Sequence, residues 1–348
     1  MKKNILDNSN WKTPEGWMTI KTIEMHTGGE PLRIFIEGLP ETPGKSILDK
    51  RKYFSEHYDD IRTATMWEPR GHADMYGAVI TEPTTPDGDF GVFFMHNEGY
   101  STMCGHAIIA LTKLVLETGM VTKKEKNTVL KIDAPPGRIE STAMIEDGKV
   151  KKVSFRNVPS FLLIRDQLVE VPGIGRVEFD VAFGGAFYAF CEARELGLNL
   201  DKSDYGKLID YGMRIKNAVN DNFSINHPFE DDLSFLYGTI FTGDPYDYNH
   251  HSRNVCVFAG GEVDRSATGS GVSARAALHY AKKELKVGEK ITIESILGTT
   301  MDVEVIETVK YDTYDAVIPE VTGCAEFTGQ HTFYINPDDP LKNGFILR

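Results

Sequence analysis

Residues 102–116 read TMCGHAIIALTKLVL, and residues 267–285 read ATGSGVSARAALHYAKKEL. Each stretch passes from a loop through a small-residue turn into a helix. In the first, Ile108, Ile109, Leu111, Leu114, Val115 and Leu116 occupy nearly the whole helical circumference. That pattern marks a helix buried on most sides, with Gly119 as its expected C-terminal stop. The second, expected over about 269–285, is apolar through Val272, Ala276, Ala277, Tyr280, Ala281 and Leu285. Aligning Cys104-Gly105-His106 with Thr268-Gly269-Ser270 brings the neighbourhoods into line as well. Thr27-Gly28-Gly29 precedes Cys104 as Phe183-Gly184-Gly185 precedes Thr268, and a strand and turn ending at Gly137 follow the first helix as a strand and turn ending at Gly298 follow the second. Three landmarks in one order indicate a duplicated unit.

Around each helix lie short alternating or β-branched runs, among them RIFIEG, GAVIT, GVFFM, VLKID and KVSFR, then VEFDVAF, NVCVFA, KITIES and MDVEVIE. The expected class is therefore α/β (α+β): two duplicated domains, each with strands wrapped around a central helix. The softest boundary lies near Pro159, and HTFYINPDDPLKNGFILR, 331–348, is expected to return to the first half. The expected domains are 1–160 plus 326–348, carrying Cys104, and 161–325, carrying Thr268.

A chain of 348 residues fits about two domains of ordinary size, and 41% apolar with 26% charged residues fits a packed core rather than disorder. The 38 basic against 51 acidic residues leave a net charge of −13, which repels phosphate backbones and anionic lipid, so neither nucleic acid nor a membrane is an expected partner. The longest mostly apolar stretch, 107–116, is interrupted by Thr112 and Lys113 and is too short to span a bilayer. The opening MKKNILDNSNWKTPEGW has no apolar leader core, which makes a cytoplasmic location the default expectation. Cys104, Cys191, Cys256 and Cys324 are widely spaced, without zinc-type pairing, and are expected as free thiols.

Cys104 sits where a buried helix begins. Unpaired N–H groups and the helix dipole favour negative charge there, so its thiol is expected to have a lowered pKa. Gly105 and His106 supply the first helical amides, and Gly105 lets a ligand approach the backbone. Thr268 takes the place of the cysteine in the duplicate, with Gly269 and Ser270 behind it. If the duplicated units face each other, two positive helix ends converge on one cleft and would hold a small carboxylate. Plainer readings stand beside these. Thr268 or Ser266 could be only an N-cap, His106 a core histidine bonded to backbone, and Asp264 a turn residue. His250-His251 lacks nearby carboxylate spacing and is weak evidence for metal. The run from Gly269 to Ala274, with Glu294 beyond it, matches a loose dinucleotide fingerprint, but GEVDRSAT separates it from the preceding strand, against the expectation for that fold.

The motifs MHTGGEPLR (25–33), RGHADMYG (70–77), NEGYSTMCGH (97–106), DAPPGRI (133–139), VAFGGAFYA (181–189) and DRSATGSGVSAR (264–275) together closely resemble the proline racemase family, from about residue 20 to the C-terminus. The resemblance implies a diaminopimelate-epimerase-like fold with the site in the cleft between the domains. It also implies cofactor-independent, metal-free chemistry on a small imino acid, and a homodimer as in many relatives. Racemases of the family use one cysteine per domain, the second lying in DRSPCGTG. Here that position is Thr268.

The departure changes the expected reaction. An alcohol is a far weaker acid than a thiol, so two-base inversion should be lost or nearly so. The Cys/Thr branch of the family resembles enzymes that dehydrate trans-3-hydroxy-L-proline, with Cys104 alone carrying a syn elimination. By the same resemblance the amides of Gly105-His106 and Gly269-Ser270 hold the carboxylate, Asp264 holds the ring nitrogen, and Tyr76 and Phe258 form the apolar walls, Tyr76 also contacting the 3-hydroxyl. Thr268 would fix the substrate or a water, or only cap its helix. Three alternatives stay open: a proline racemase or hydroxyproline epimerase, a catalytically silent imino-acid-binding protein and, more distantly, a dinucleotide oxidoreductase.

Overall fold

The computed structural model describes residues 12–124 and 126–347. The outer limits of the expected domains, most of the opening stretch read for a leader, and Glu125 lie outside the described residues.

Strand pairing makes the duplication explicit. In the first half Met18–Thr27 pairs antiparallel with Glu30–Glu37, which runs parallel to Tyr76–Thr81. Phe90–His96 follows antiparallel, Asn127–Ala134 parallel to it, then Gly137–Glu146 and Lys149–Arg156, each antiparallel to its predecessor. The second half repeats that series. Gly175–Phe183 pairs antiparallel with Phe187–Glu192, which runs parallel to Leu236–Gly243; Ser252–Phe258 is antiparallel, Lys290–Glu294 parallel, and Thr300–Tyr311 and Tyr314–Gly323 antiparallel.

The outermost place is filled differently in the two halves. Phe161–Val171 flanks Gly175–Phe183, whereas the equivalent edge of Met18–Thr27 is covered by Ala325–Ile335, the strand that returns from the far end of the chain. This return covers the outer edge of Met18–Thr27. Tyr314–Gly323 also pairs with Lys149–Arg156, so one ladder runs from half to half. The glycine landmarks fall at corresponding places, Gly28-Gly29 and Gly184-Gly185 after the first strand, Gly137 opening the sixth and Gly298 just before its counterpart.

Each half wraps one helix. Gly105–Glu117 buries Ile108, Ile109, Leu111, Leu114, Val115 and Leu116, and its cap at Thr118 is followed by Gly119 at φ 75°. The glycine takes the left-handed position that ends a helix without a side-chain clash. Gly269–Ala281 is the counterpart, four residues shorter than expected: Lys283 adopts φ 65°, turning the chain before Leu285. Leu285 is still buried, which is why the apolar pattern ran past the helix. A further long helix, Tyr205–Asn222, was not read from the sequence. It buries only a narrow stripe, Leu208, Gly212, Ile215, Ala218 and Val219, and at Gly212 it packs so closely that an added Cβ would meet Val257 at 2.6 Å. Among the described residues no helix is long and apolar enough to cross a membrane.

Candidate active site

The two central helices meet end to end. A Cβ on Gly105 would stand 2.7 Å from the Gly269 Cα, and one on Gly269 would stand 2.8 Å from the Gly105 Cα. Only glycine fits on either side of such a contact. The first-turn N–H groups of both helices, which have no intrahelical acceptors, therefore open on the same space.

That space is a small cavity lined from both halves. Tyr76, Cys104, Gly105 and His106 reach it from the first half, and Phe258, Asp264, Thr268, Gly269 and Ser270 from the second. All nine residues singled out in the sequence thus line one chamber. Met103, Tyr188, Tyr237 and Cys256 complete the wall. Tyr188 and Tyr237 had not been read because their runs, FYAFCE and LYGTIFTG, were not recognised as strands. Strand pairing, invisible in a single sequence, brings them to the cavity.

Cys104 and Thr268 hold equivalent places with different geometry. Cys104, at φ −142°, caps the first helix: its Sγ accepts the Ala107 N–H at 3.3 Å. Thr268 has φ 67°, strained for a β-branched residue, and its side chain makes no cap bond. The plain capping role for the Thr268 hydroxyl is therefore overturned. Its backbone carbonyl does accept the Val272 N–H at 2.7 Å, but Oγ1 is buried without a hydrogen-bond partner among the described residues, with the Cys256 thiol against it.

The expected lowering of the Cys104 pKa is overturned as well. Burial pushes the thiol well above its ordinary value, the Ala107 N–H only partly offsets this, and the nearby carboxyl groups of Asp264 and Glu30 push it further up. The helix end acts as foreseen, but at 4% exposure desolvation of the thiolate is the larger effect. His106 lies beside the thiol, with Nδ1 3.2 Å from Sγ. Burial pushes its imidazole down to about 4, and the ring also hydrogen-bonds the Pro31 carbonyl. Both shifts favour a neutral thiol beside a neutral imidazole.

Asp264 is 5% exposed, and its Oδ1 accepts the Ser266 N–H at 2.7 Å, so the turn role and a place in the cavity coexist. Behind it lies Glu30, fully buried, whose Oε2 accepts the Arg265 N–H at 2.6 Å. Burial first, then the negative charge of Asp264, holds the Glu30 carboxyl well above the usual carboxylate range. Glu30 was missed although it stands in MHTGGEPLR; the available signal was a lone acid in a stretch reading as a buried turn. The aromatic side is tightly built: Tyr76 packs edge-on against His106 at 4.9 Å, Tyr237 stacks on Phe258 at 5.3 Å, and the Tyr76 hydroxyl hydrogen-bonds Ser101. Tyr188 bonds Ser270 at 2.7 Å.

The weaker motifs resolve elsewhere. His250 pairs with Glu294 at 2.8 Å and His251 with Ser252, and no cluster of three or more His, Cys, Asp or Glu suited to a metal occurs among the described residues. Glu294 accepts the Tyr246 and Asp247 N–H groups and serves the loop before its partner strand, not a ribose.

A chamber with two helix ends, a thiol at one cap, an alcohol at the other and a carboxylate suits a small zwitterion. Comparison with known proteins gives a consistent picture. The family model described as proline racemase matches residues 22–346. The chain is 54% identical to trans-3-hydroxy-L-proline dehydratase of Colwellia psychrerythraea over 96% of this chain and 94% of that one. It is 43% identical to proline racemase of Clostridioides difficile over 95% and 98%. Among solved structures, a hydroxyproline epimerase of Agrobacterium vitis with bound trans-4-hydroxy-L-proline superposes with a TM-score of 0.90 at 28% identity, covering 95% of this chain and 96% of that one.

The glycine contact yields a direct test. Gly105→Ala forces its Cβ against Gly269 and the Phe155 ring, 2.9 Å away, and is expected to cost about 1–3 kcal/mol in urea unfolding. Binding of a small carboxylate ligand, measured by calorimetry, should weaken with it.

Proposed function

The chain belongs to the proline racemase family, and on that premise we propose that it dehydrates trans-3-hydroxy-L-proline to Δ1-pyrroline-2-carboxylate without a cofactor. The observation that carries the reading is the asymmetry of the cavity, a thiol at Cys104 and an alcohol at Thr268. The similarity to a protein named for that dehydration supports it.

In this substrate the 3-hydroxyl is trans to the carboxylate and so shares a ring face with the α-hydrogen. Cys104 as thiolate takes the α-proton, the C–H electron pair forms the Cα=C3 bond, and the C3–O bond breaks. The thiol then delivers its proton to the departing oxygen, releasing water. The enamine Δ2-pyrroline-2-carboxylate tautomerises to the Δ1 form. One group on one face performs both transfers, so the alcohol opposite need not titrate.

Negative charge grows on the carboxylate as the α-proton leaves. The N–H groups of Gly105, His106, Gly269 and Ser270 meet it in a dry chamber, where loss of one such donor typically costs about 2.7–4 kcal/mol. Asp264 keeps the ring nitrogen protonated and in place. That positive nitrogen offsets the carboxyl charge that raises the thiol pKa, so substrate entry itself favours the thiolate. Tyr76 and Phe258 exclude water, Tyr76 lying against the 3-hydroxyl. Thr268 holds the substrate from the other face.

A second reading, inversion of proline or a hydroxyproline, draws on the identity to a proline racemase and on the Cys256 thiol beside Thr268. Solvent deuterium uptake with inversion of L-proline or trans-4-hydroxy-L-proline would favour it. Tight binding of imino acids without turnover would favour a silent binding protein.

The primary test is incubation with trans-3-hydroxy-L-proline and a colour assay for the pyrroline product. Cys104→Ala should abolish product formation while the protein still unfolds cooperatively. Thr268→Cys should add measurable inversion of L-proline, followed by optical rotation. Because burial raises the Cys104 thiol, thiolate in the free enzyme increases about tenfold per pH unit below that pKa. A steady rise of kcat/KM from pH 6 to pH 9, without an early plateau, is the expected profile.

A further inference from the structure

Tyr237 is a wall residue whose polar group has no assignment in the chemistry above. It lies at the start of the strand Leu236–Gly243, 6% exposed, with its ring stacked on Phe258 at 5.3 Å and edge-on to Tyr188 at 5.8 Å and His96 at 6.1 Å. Three rings fix its orientation. Its hydroxyl is buried and makes no hydrogen bond of full geometry among the described residues; the Tyr76 hydroxyl lies within hydrogen-bonding reach and Cys104 within electrostatic reach. A buried phenol normally finds a partner, and leaving one unpaired costs free energy. The Tyr76 hydroxyl, by contrast, is already engaged by Ser101.

The rest of the cavity accounts for the other polar groups of an imino acid. The helix ends take the carboxylate and Asp264 takes the nitrogen, while the proposed chemistry puts the leaving oxygen on the Cys104 face. The Tyr237 hydroxyl lines the same cavity within electrostatic reach of the Cys104 sulfur, which puts that oxygen within its range. Burial keeps the phenol well above its ordinary pKa, so it remains protonated and can donate. We propose that Tyr237 is a specificity-determining residue whose O–H donates a hydrogen bond to the 3-hydroxyl oxygen of the substrate. This inference rests on the dehydratase reading above. Tyr237 transfers no proton: Cys104 supplies the one that leaves with water, and the phenol holds the C3–O bond over the sulfur. It also disfavours plain proline, which would leave the phenol unpaired in a dry wall.

The test compares Tyr237→Phe with the unaltered protein on two ligands, trans-3-hydroxy-L-proline by steady-state kinetics and L-proline by calorimetry. Removing only the hydroxyl should lower kcat/KM for the hydroxylated substrate about tenfold, the effect of one lost hydrogen bond, and leave L-proline affinity equal or higher. This divergence separates a contact to the 3-hydroxyl from a structural role, and retained proline binding shows that the variant is folded. An unchanged kcat/KM, or a parallel loss on both ligands, overturns the inference while leaving the dehydratase reading intact. Absence of pyrroline formation by the unaltered protein overturns both.

Discussion

The meeting of Gly105 with Gly269 is the constraint on which the rest of the molecule depends. Two helices point their N-terminal ends at one another, each carrying about half a positive charge, and no side chain intervenes. Such an arrangement is unfavourable by itself and becomes favourable when an anion sits between the ends. The surrounding contacts hold the arrangement in place. Thr102 donates to the Gly185 carbonyl at 2.7 Å, Thr299 to the Gly28 carbonyl at 2.7 Å, and Asn157 to the Gly184 carbonyl at 2.7 Å. Each glycine turn is thus bonded to a residue outside its own repeat or at the junction. His96 and Glu262, 3.2 Å apart, add a hydrogen-bond contact between the halves, and Arg265 and Asp74, 2.7 Å apart, an ion pair.

Within this pseudo-symmetric frame the chemistry is lopsided. The pairing series is the same in both halves, yet Cys104 caps its helix in an extended conformation and Thr268 occupies a strained left-handed one. The buried acids Asp264 and Glu30 press on the sulfur, and His106 lies against it. On the other side the Cys256 thiol lies against the Thr268 hydroxyl. A two-domain frame able to act on both faces of a ring is here equipped with a titratable group at only one of the two helix caps.

Much of this was legible before the structure because helix starts are local. A cysteine before Gly105 and a long apolar circumference specify a buried helix and its exposed amides, and the repeated glycine landmarks give the second one. The tail from His331 was expected to return to the first half; the strand that pairs there begins earlier, at Ala325. What escaped depends on tertiary context. Tyr188, Tyr237 and Cys256 enter the cavity through strand register, Glu30 through its packing behind Asp264, and the helix Tyr205–Asn222 through a close approach at Gly212. The direction of the Cys104 shift was misjudged for the same reason: the helix end is local, whereas the depth of burial that outweighs it is a property of both halves together.

The account stands on one sulfur that both takes the α-proton and returns it to an oxygen on the same ring face. Parallel assays with trans-3-hydroxy-L-proline and cis-3-hydroxy-L-proline probe that geometry most directly, since in the cis isomer the hydroxyl lies on the face opposite the α-hydrogen. Pyrroline from the trans isomer alone is the predicted result. Comparable rates from both isomers, or preference for the cis isomer, would contradict a single-thiol syn elimination.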